Sequence, residues 1–215
     1  AEGYPWENGA VGYYLRDAGM PLDNMSNTTQ IFLGTQMVCA QCHNHPFDRW
    51  TQMEYYQMAS YTYGITSSQG GEIQSKIKKY FNDKTKGLSY KDKKKKIQSK
   101  EAQALRRSVQ EMLRPLRYGA THTNRKLSLP HDYQYEDGKP KSVVTPSPIF
   151  DNAISETDGI PKVHAYGEWL TSVDNPRFTK VIVNRMWKKV FGRGLVEPAD
   201  DWRDDTVASI PELMD

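Results

Sequence analysis

Apolar residues recur at helical spacing in several parts of this chain, separated by stretches rich in proline and glycine. The first strong pattern covers 24–37, where a helix capped by Asp23 or Ser26 would place its apolar residues on one face. A second helical pattern covers 46–62, and Pro46 suits the first turn of a helix. The pattern therefore predicts two helices that bracket the segment between them.

The middle of the chain alternates between helical and irregular patterns. Residues 66–71 are rich in serine and glycine and predict a linker, and a long surface helix is expected over about 90–113, ending before Pro115. Residues 118–150 are interrupted by proline, so we expect a wrapping loop with a possible short strand at 126–129.

The remaining patterns are also helical. A short helix is expected near 11–16 and another at 164–171, and Pro176 opens a stronger amphipathic helix that Gly192 and Gly194 end. These elements predict a mainly α fold, with long irregular loops and a C-terminal helical segment.

The same patterns divide the chain into three parts. Residues 1–65 form the segment with the candidate chemistry, 66–118 form a basic helical insertion, and 119–215 combine a loop with helices that pack on the first segment. At 215 residues the chain is long enough to bury a substantial core.

Charge distinguishes the middle part from the rest. The chain carries a formal net charge of +3, but 15 Lys and Arg against four Asp and Glu between Lys76 and Arg117 give that stretch +11 and leave −8 elsewhere. A solvated helix face, or a docking surface through 76–100 for an acidic redox partner or a polysaccharide, explains this basic stretch better than nucleic-acid binding.

The mean hydropathy is −0.77, and no apolar run approaches the roughly 18 residues that span a bilayer. The first residues also lack the basic and then apolar layout of a signal peptide. We expect that an export signal has been removed and that the chain is part of a longer protein.

The candidate chemistry lies between the first two predicted helices. Cys39, Cys42 and His43 form C-x-x-C-H, the attachment signature of c-type haem, and the chain has no other cysteine. The spacing lets two thiols reach the vinyl groups on one porphyrin edge while the imidazole lies beneath the iron. The motif therefore predicts thioethers at Cys39 and Cys42 and an iron ligand at His43.

Two other interpretations of the motif remain open. Zinc could bind through Cys39, Cys42, His43 or His45, and the cysteines could instead be a redox or incidental pair. A thioredoxin-like site would follow a βαβ pattern, whereas a helical pattern precedes Cys39. A four-thiolate zinc site is excluded by the cysteine count.

A second iron ligand is harder to assign. His131, in a loop that could fold over the distal face, is one possible distal ligand. The alternatives are an open position, a tyrosine, a methionine near the motif, or one of the other histidines: His45, His122 and His164. Of these, His45 is disfavoured, because it is only two residues beyond His43 and tethered to the same face of the ring.

The sequence around the motif, residues 30–50, resembles the planctomycete-type cytochrome c proteins, which pair two domains of uncharacterised function. Residues 174–178, 183–187, 191–198 and 204–206 are similar to the opening of the second domain. The run 129–135 is also family-like, which favours His131. The resemblance implies one covalently bound haem c in an exported protein.

These observations predict a periplasmic or extracellular c-type cytochrome that transfers single electrons to a redox partner. The rival hypotheses are a peroxidase-like haem enzyme with an open sixth iron position and a haem-stapled structural module of a larger extracellular assembly.

Overall fold

The computed structural model describes residues 2–67, 70–115, 118–150 and 161–214, with only the backbone described at 70–74. These ranges are mainly helical, which confirms the predicted fold class. The α-helices are α1 (Gly12–Arg16), α2 (Pro21–Leu33), α3 (Gln52–Ala59), α4 (Gly70–Lys84), α5 (Tyr90–Ile97), α6 (Lys100–Met112), α7 (Lys162–Thr171) and α8 (Phe178–Phe191). Two short strands, β1 (Ile65–Thr66) and β2 (Thr121–His122), pair with each other.

The chain forms two compact units. One contains 1–19 and 66–122, and the other contains 20–65 and 123–215. The second unit holds the cysteine motif and the helices α2, α3, α7 and α8. The sequence-based division at 65 and 118 stays a prediction.

Helix α2 begins and ends earlier than the hydrophobic pattern predicts. Pro21 occupies its first turn, and Gly34 ends it in the left-handed region with φ +62°. A Cβ at Gly34 would lie 3.0 Å from Trp202 Cδ1 and 3.1 Å from Val181 Cγ2. The backbone N–H of Trp202 also donates to the Gly34 carbonyl over 2.7 Å. This glycine therefore joins the end of α2 to the C-terminal part of the chain.

Helix α3 does not begin at Pro46, as the sequence pattern predicts, but at Gln52. Thr51 and Glu54 form a capping box, in which the Thr51 hydroxyl accepts the Glu54 N–H over 3.1 Å and the Glu54 carboxylate accepts the Thr51 N–H over 2.7 Å. Because this cap satisfies the first N–H groups of the helix at Thr51, residues 46–49 form bends ahead of it instead of a helical turn.

The larger core belongs to the second unit. It unites side chains of α2, α3, the loop 127–149 and α7, including Met25, Trp50 and Trp169. Apart from β2, residues 118–150 are irregular, as expected, and the predicted strand at 126–129 is only an isolated antiparallel bridge between Ser128 and Val143. The irregular stretch therefore contributes to the core through single side chains.

The C-terminal helices agree with the predicted ones. Gly192 ends α8 with φ +81°, and the buried Asn184 holds the following loop through two bonds with Val196, at 2.9 and 3.0 Å. Phe178 at the start of α8 stacks on Phe32 of α2, with ring centroids 6.1 Å apart. These contacts attach α8 to α2 within the second unit.

The basic segment differs from its prediction. Instead of one helix over 90–113 it forms α5 and α6, because Ser99 accepts the Ala102 N–H over 3.2 Å and starts a new helix. The linker predicted at 66–71 ends by Gly70, where α4 begins, and residues 68–69 lie outside the described residues.

Throughout the described ranges, every helix is too short or too polar to cross a membrane.

Replacing Gly34 with alanine is expected to destabilise the second unit by at least about 1–2 kcal/mol, because a Cβ is unfavourable in the left-handed region and would meet Trp202 and Val181. Urea unfolding measures the change. Gly167→Ala is the matched control, since its Cβ would meet nothing within 4 Å, and it should leave stability unchanged or raised. Equal losses for the two variants would contradict the proposed contact.

Candidate functional site

The C-x-x-C-H motif lies on a tight turn between α2 and α3. Residues Val38–Gln41 form a 3-10 helix, and the Cys42 N–H donates to the Cys39 carbonyl over 3.3 Å. Ala40 is fully buried between them, whereas Cys39 and Cys42 are exposed free thiols. The turn therefore holds its inner side in the core and presents both sulfur atoms outward.

Helix α3 fixes this turn from below. The Gln52 side-chain amide donates to the Gln41 carbonyl over 3.0 Å. The buried Tyr55 hydroxyl lies 3.1 Å from the Leu22 carbonyl and 3.3 Å from Gln41 Oε1. Because Gln52 and Tyr55 are themselves buried, the backbone of the motif is anchored to a rigid surface.

His43 is exposed, and its ring orientation is set by its neighbour. The His43 Nδ1 lies 2.7 Å from the Asn44 carbonyl oxygen. A carbonyl can only accept a hydrogen bond, so in the neutral imidazole Nδ1 carries the proton and the lone pair is left on Nε2. This is the arrangement that metal-bound histidines use to fix their tautomer.

Asn44 connects the motif to two other elements. Its backbone N–H donates to the Tyr135 hydroxyl over 2.8 Å, and its Oδ1 accepts the backbone N–H of Gln52 over 2.9 Å. The residue that orients His43 is thus held both by the loop after His131 and by the first residue of α3. Asn44 and Gln52 were not identified from the sequence, because neither is a usual ligand type. Tyr135 lies in the family-like run 129–135, but no role of its own was predicted for it.

The segment after the motif closes on itself. The His45 N–H donates to the Trp50 carbonyl over 2.7 Å, and His45 Nδ1 accepts the Phe47 N–H over 3.2 Å. His45 therefore serves the loop backbone here. Arg49 lies over the buried Trp50 ring, 4.4 Å from its centroid.

Two tyrosines of α3 lie beneath the motif. Burial is the main cause that raises the pKa of Tyr55 and of Tyr56, and the negative charge of a Cys42 thiolate would raise both further. Asp132 also raises the pKa of Tyr56. Cys42 and the loop that contains His131 are therefore close to the same ring.

His131 itself is exposed, with 81% of its side chain accessible, and its Nδ1 lies 3.8 Å from Asp132 Oδ1. The structure places its loop beside the motif through the bond between Tyr135 and Asn44. Whether this imidazole is the distal ligand stays a prediction.

The other candidate ligands have separate surroundings. His122 lies in the first unit, with Nδ1 3.9 Å from Glu2 Oε1, and His164 is exposed on α7. Met37 and Met58 are fully buried in the core, and Met53 packs against it. The methionines near the motif thus fill the core in this structure.

A protein-only metal site is not formed in the described part of the chain, where no three His, Cys, Asp or Glu side chains come together as ligands. The zinc interpretation through Cys39, Cys42, His43 or His45 therefore gains no geometric support. Asp201 and Asp204, near the end of the chain, pair with arginines: Arg203 donates to Asp201 over 3.0 Å, and Arg49 lies 3.4 Å from Asp204.

Asn44→Ala is expected to lower the free energy of unfolding by about 1 kcal/mol, because the Gln52 N–H at the start of α3 loses its acceptor. The backbone carbonyl that orients His43 is kept in this variant. Urea unfolding measures the loss, and Asn124→Ala, at an exposed loop position, is the control. A loss no greater than the control's would mean that this bond contributes nothing.

The raised pKa values of Tyr55 and Tyr56 predict lower stability in alkaline solution. In the folded chain, both phenols keep their protons at pH values above 10.0, which is the ordinary pKa of tyrosine. In the unfolded chain, both ionise near that ordinary pKa. Unfolding then releases protons, so stability is complete below about pH 10 and falls as the pH rises further.

The Tyr56→Phe variant keeps the ring and removes one of these protons, so its stability should fall less steeply. Urea unfolding at about pH 9 and about pH 11 gives the slope. Tyr90→Phe, at a side chain that is 81% exposed, is the control for the loss of one tyrosine hydroxyl outside the core. Equal slopes for all three proteins would contradict the role assigned to Tyr56.

Comparison with known proteins supports a pairing of two domains. The family model PSCyt2, a protein of unknown function (DUF1549), matches residues 13–66, which include α2, the motif and α3. The family model PSD1, a protein of unknown function (DUF1553), matches residues 164–215, which include α8. No curated protein and no solved structure matches the chain. The two matches support the paired-domain family that the sequence resembles.

Proposed function

We propose that this chain is a c-type cytochrome that binds one haem through thioethers at Cys39 and Cys42, with His43 as the proximal iron ligand, and transfers single electrons. The observation that carries the proposal is the bond between His43 Nδ1 and the Asn44 carbonyl, which leaves Nε2 free to bind iron on an exposed surface. The abbreviation PSCyt2 also points to a cytochrome-like family.

The residues of the motif fit the group. Both thiols are exposed and unpaired on one short turn, as attachment to a porphyrin edge requires. Two apolar side chains flank them in the sequence, Val38 with 53% and Phe47 with 77% of their surface exposed. Apolar surface of this kind marks a place where a large apolar partner binds, and a porphyrin face is such a partner.

The haem, when bound, supplies a one-electron couple between Fe(III) and Fe(II). The chain's own residues hold and orient it. Asn44 fixes the His43 tautomer, and Gln52 and Tyr135 hold Asn44, so the imidazole is positioned before any ligand arrives. A preorganised ligand of this kind needs little rearrangement when the charge of the metal changes.

We propose His131 as the sixth ligand. The loop that contains His131 adjoins the motif through Tyr135. The imidazole of His131 is exposed on a turn, so its side chain can rotate toward the motif. If neither His131 nor another side chain binds there, the sixth position is open and the peroxidase-like hypothesis gains.

A periplasmic or extracellular location follows from the proposal, since c-type haem is attached outside the cytoplasm. The electron partner would be a separate redox protein.

Attachment is tested by producing the chain in a host that exports and matures c-type cytochromes and measuring its intact mass after denaturation. The expected result is a mass increase of one haem, absent from the Cys39→Ser/Cys42→Ser variant. His45→Ala is the matched control and should keep the adduct, because among the described residues His45 bonds the loop backbone, at Trp50 and Phe47, and no part of the attachment turn. Bare thiols, a disulfide or bound zinc in the unmodified protein would overturn the proposal.

Optical spectra of the same protein separate electron transfer from catalysis. A low-spin spectrum that does not respond to CO, and that becomes high-spin and CO-sensitive in His131→Ala, supports electron transfer with His131 as ligand. A spectrum of the unmodified protein that already shifts with CO would instead support the haem enzyme.

A further inference from the structure

The helices of the basic segment bury their apolar surface incompletely, since side chains such as Phe81, Ile97 and Val109 are only half-buried. Among the described side chains from 75 to 115, no apolar one is buried. The segment is held instead by polar and ring contacts, such as Arg106 over the Phe81 ring at 5.1 Å and Lys96 Nζ 3.4 Å from the Lys84 carbonyl. Because this segment has no fully buried apolar side chain among those described, part of its apolar surface stays exposed and can bind a partner.

That surface is organised on α6. Ala102, Leu105, Val109 and Met112 follow one another at intervals of three or four residues and share one face of the helix. Leu105 keeps 49% and Met112 keeps 73% of its surface exposed, whereas Ala102 and Val109 are half-buried, so the open part of this face is formed by Leu105 and Met112. Arg106 and Arg107 follow directly and place charge beside the stripe. This is the composition of an amphipathic helix that lies at an interface.

Helix α5 adds a dense positive charge. Lys91 and Lys93–Lys96 occupy five of its eight positions, and all but Lys93 are exposed. Since consecutive residues of a helix are about 100° apart, these ammonium groups surround the helix instead of forming one face. Exposed Leu88 and Tyr90, with 41% and 81% of their surface accessible, stand at its start.

We propose that the segment formed by α4, α5 and α6 binds a membrane surface that carries anionic lipid. Lysine is depleted in the cores of protein interfaces, and charge spread around a helix suits a diffuse layer of headgroups. Tyrosine, leucine and methionine beside the lysines match the boundary between headgroups and acyl chains. A soluble polyanion would use the charge and leave the apolar stripe without a role.

Flotation of the full chain with lipid vesicles tests the proposal. The chain should bind vesicles of equal parts phosphatidylglycerol and phosphatidylcholine, and bind phosphatidylcholine alone far less. Lys94→Gln/Lys95→Gln should lower the partition coefficient by about 30-fold, since each lysine near such a surface contributes about fivefold. The control Lys162→Gln/Lys189→Gln removes the same charge from exposed positions of α7 and α8 and should change binding little. Equal losses for the two pairs, or equal binding to both vesicle types, would overturn the proposal.

A second pair of substitutions distinguishes lipid from other anions. Leu105→Ser/Met112→Ser keeps every charge and should weaken binding to the anionic vesicles by at least about tenfold, because the apolar contact with the acyl region is lost. The same variant should elute from a heparin column at the salt concentration of the unmodified chain. Unchanged vesicle binding would overturn lipid insertion in favour of a polyanion or an acidic protein. Circular dichroism verifies that each variant keeps its helices.

Discussion

The geometry of the site depends on one hydrogen bond, between the imidazole of His43 and the carbonyl of its own neighbour, Asn44. A ligand attached by two rotatable bonds to an exposed turn would otherwise sample many orientations. The bond fixes one nitrogen as donor and leaves the other as a base. Asn44 is in turn held by Gln52 and Tyr135, so that the direction of the free nitrogen is set by two elements far apart in the sequence.

The same principle extends to the thiols. A turn of four residues can present two sulfur atoms outward only if something holds the residues between them inward. Ala40 does so because its small side chain fits the core completely, and Gln52 holds the adjacent Gln41 carbonyl. A larger residue at position 40 would have to displace core atoms or lift the turn, and interiors at native density tolerate such additions poorly.

The sequence predicted the fold class and the helices of the last third because their apolar spacing, and the glycine that ends α8, are local signals. It misplaced the start of α3, since Pro46 is a strong signal for a first turn but the Thr51–Glu54 capping box is the one that the chain uses. It also merged α5 and α6, because the cap at Ser99 is hidden among lysines that favour helix on both sides. For the site, the motif predicted which side chains carry the reactive atoms. It could not identify the residues that orient them, because Asn44 and Tyr135 are 91 residues apart and meet only in the folded chain.

The close approach of Gly34 to Trp202 bears on how such a chain can change over evolutionary time. The two stretches matched by family models are separated by almost one hundred residues, yet α2 and α8 pack together within one unit. Each stretch covers apolar surface of the other, so selection acts on them jointly. No described residue of the basic segment belongs to that shared core, so the packing of α2 on α8 places no constraint on the length or charge of that segment.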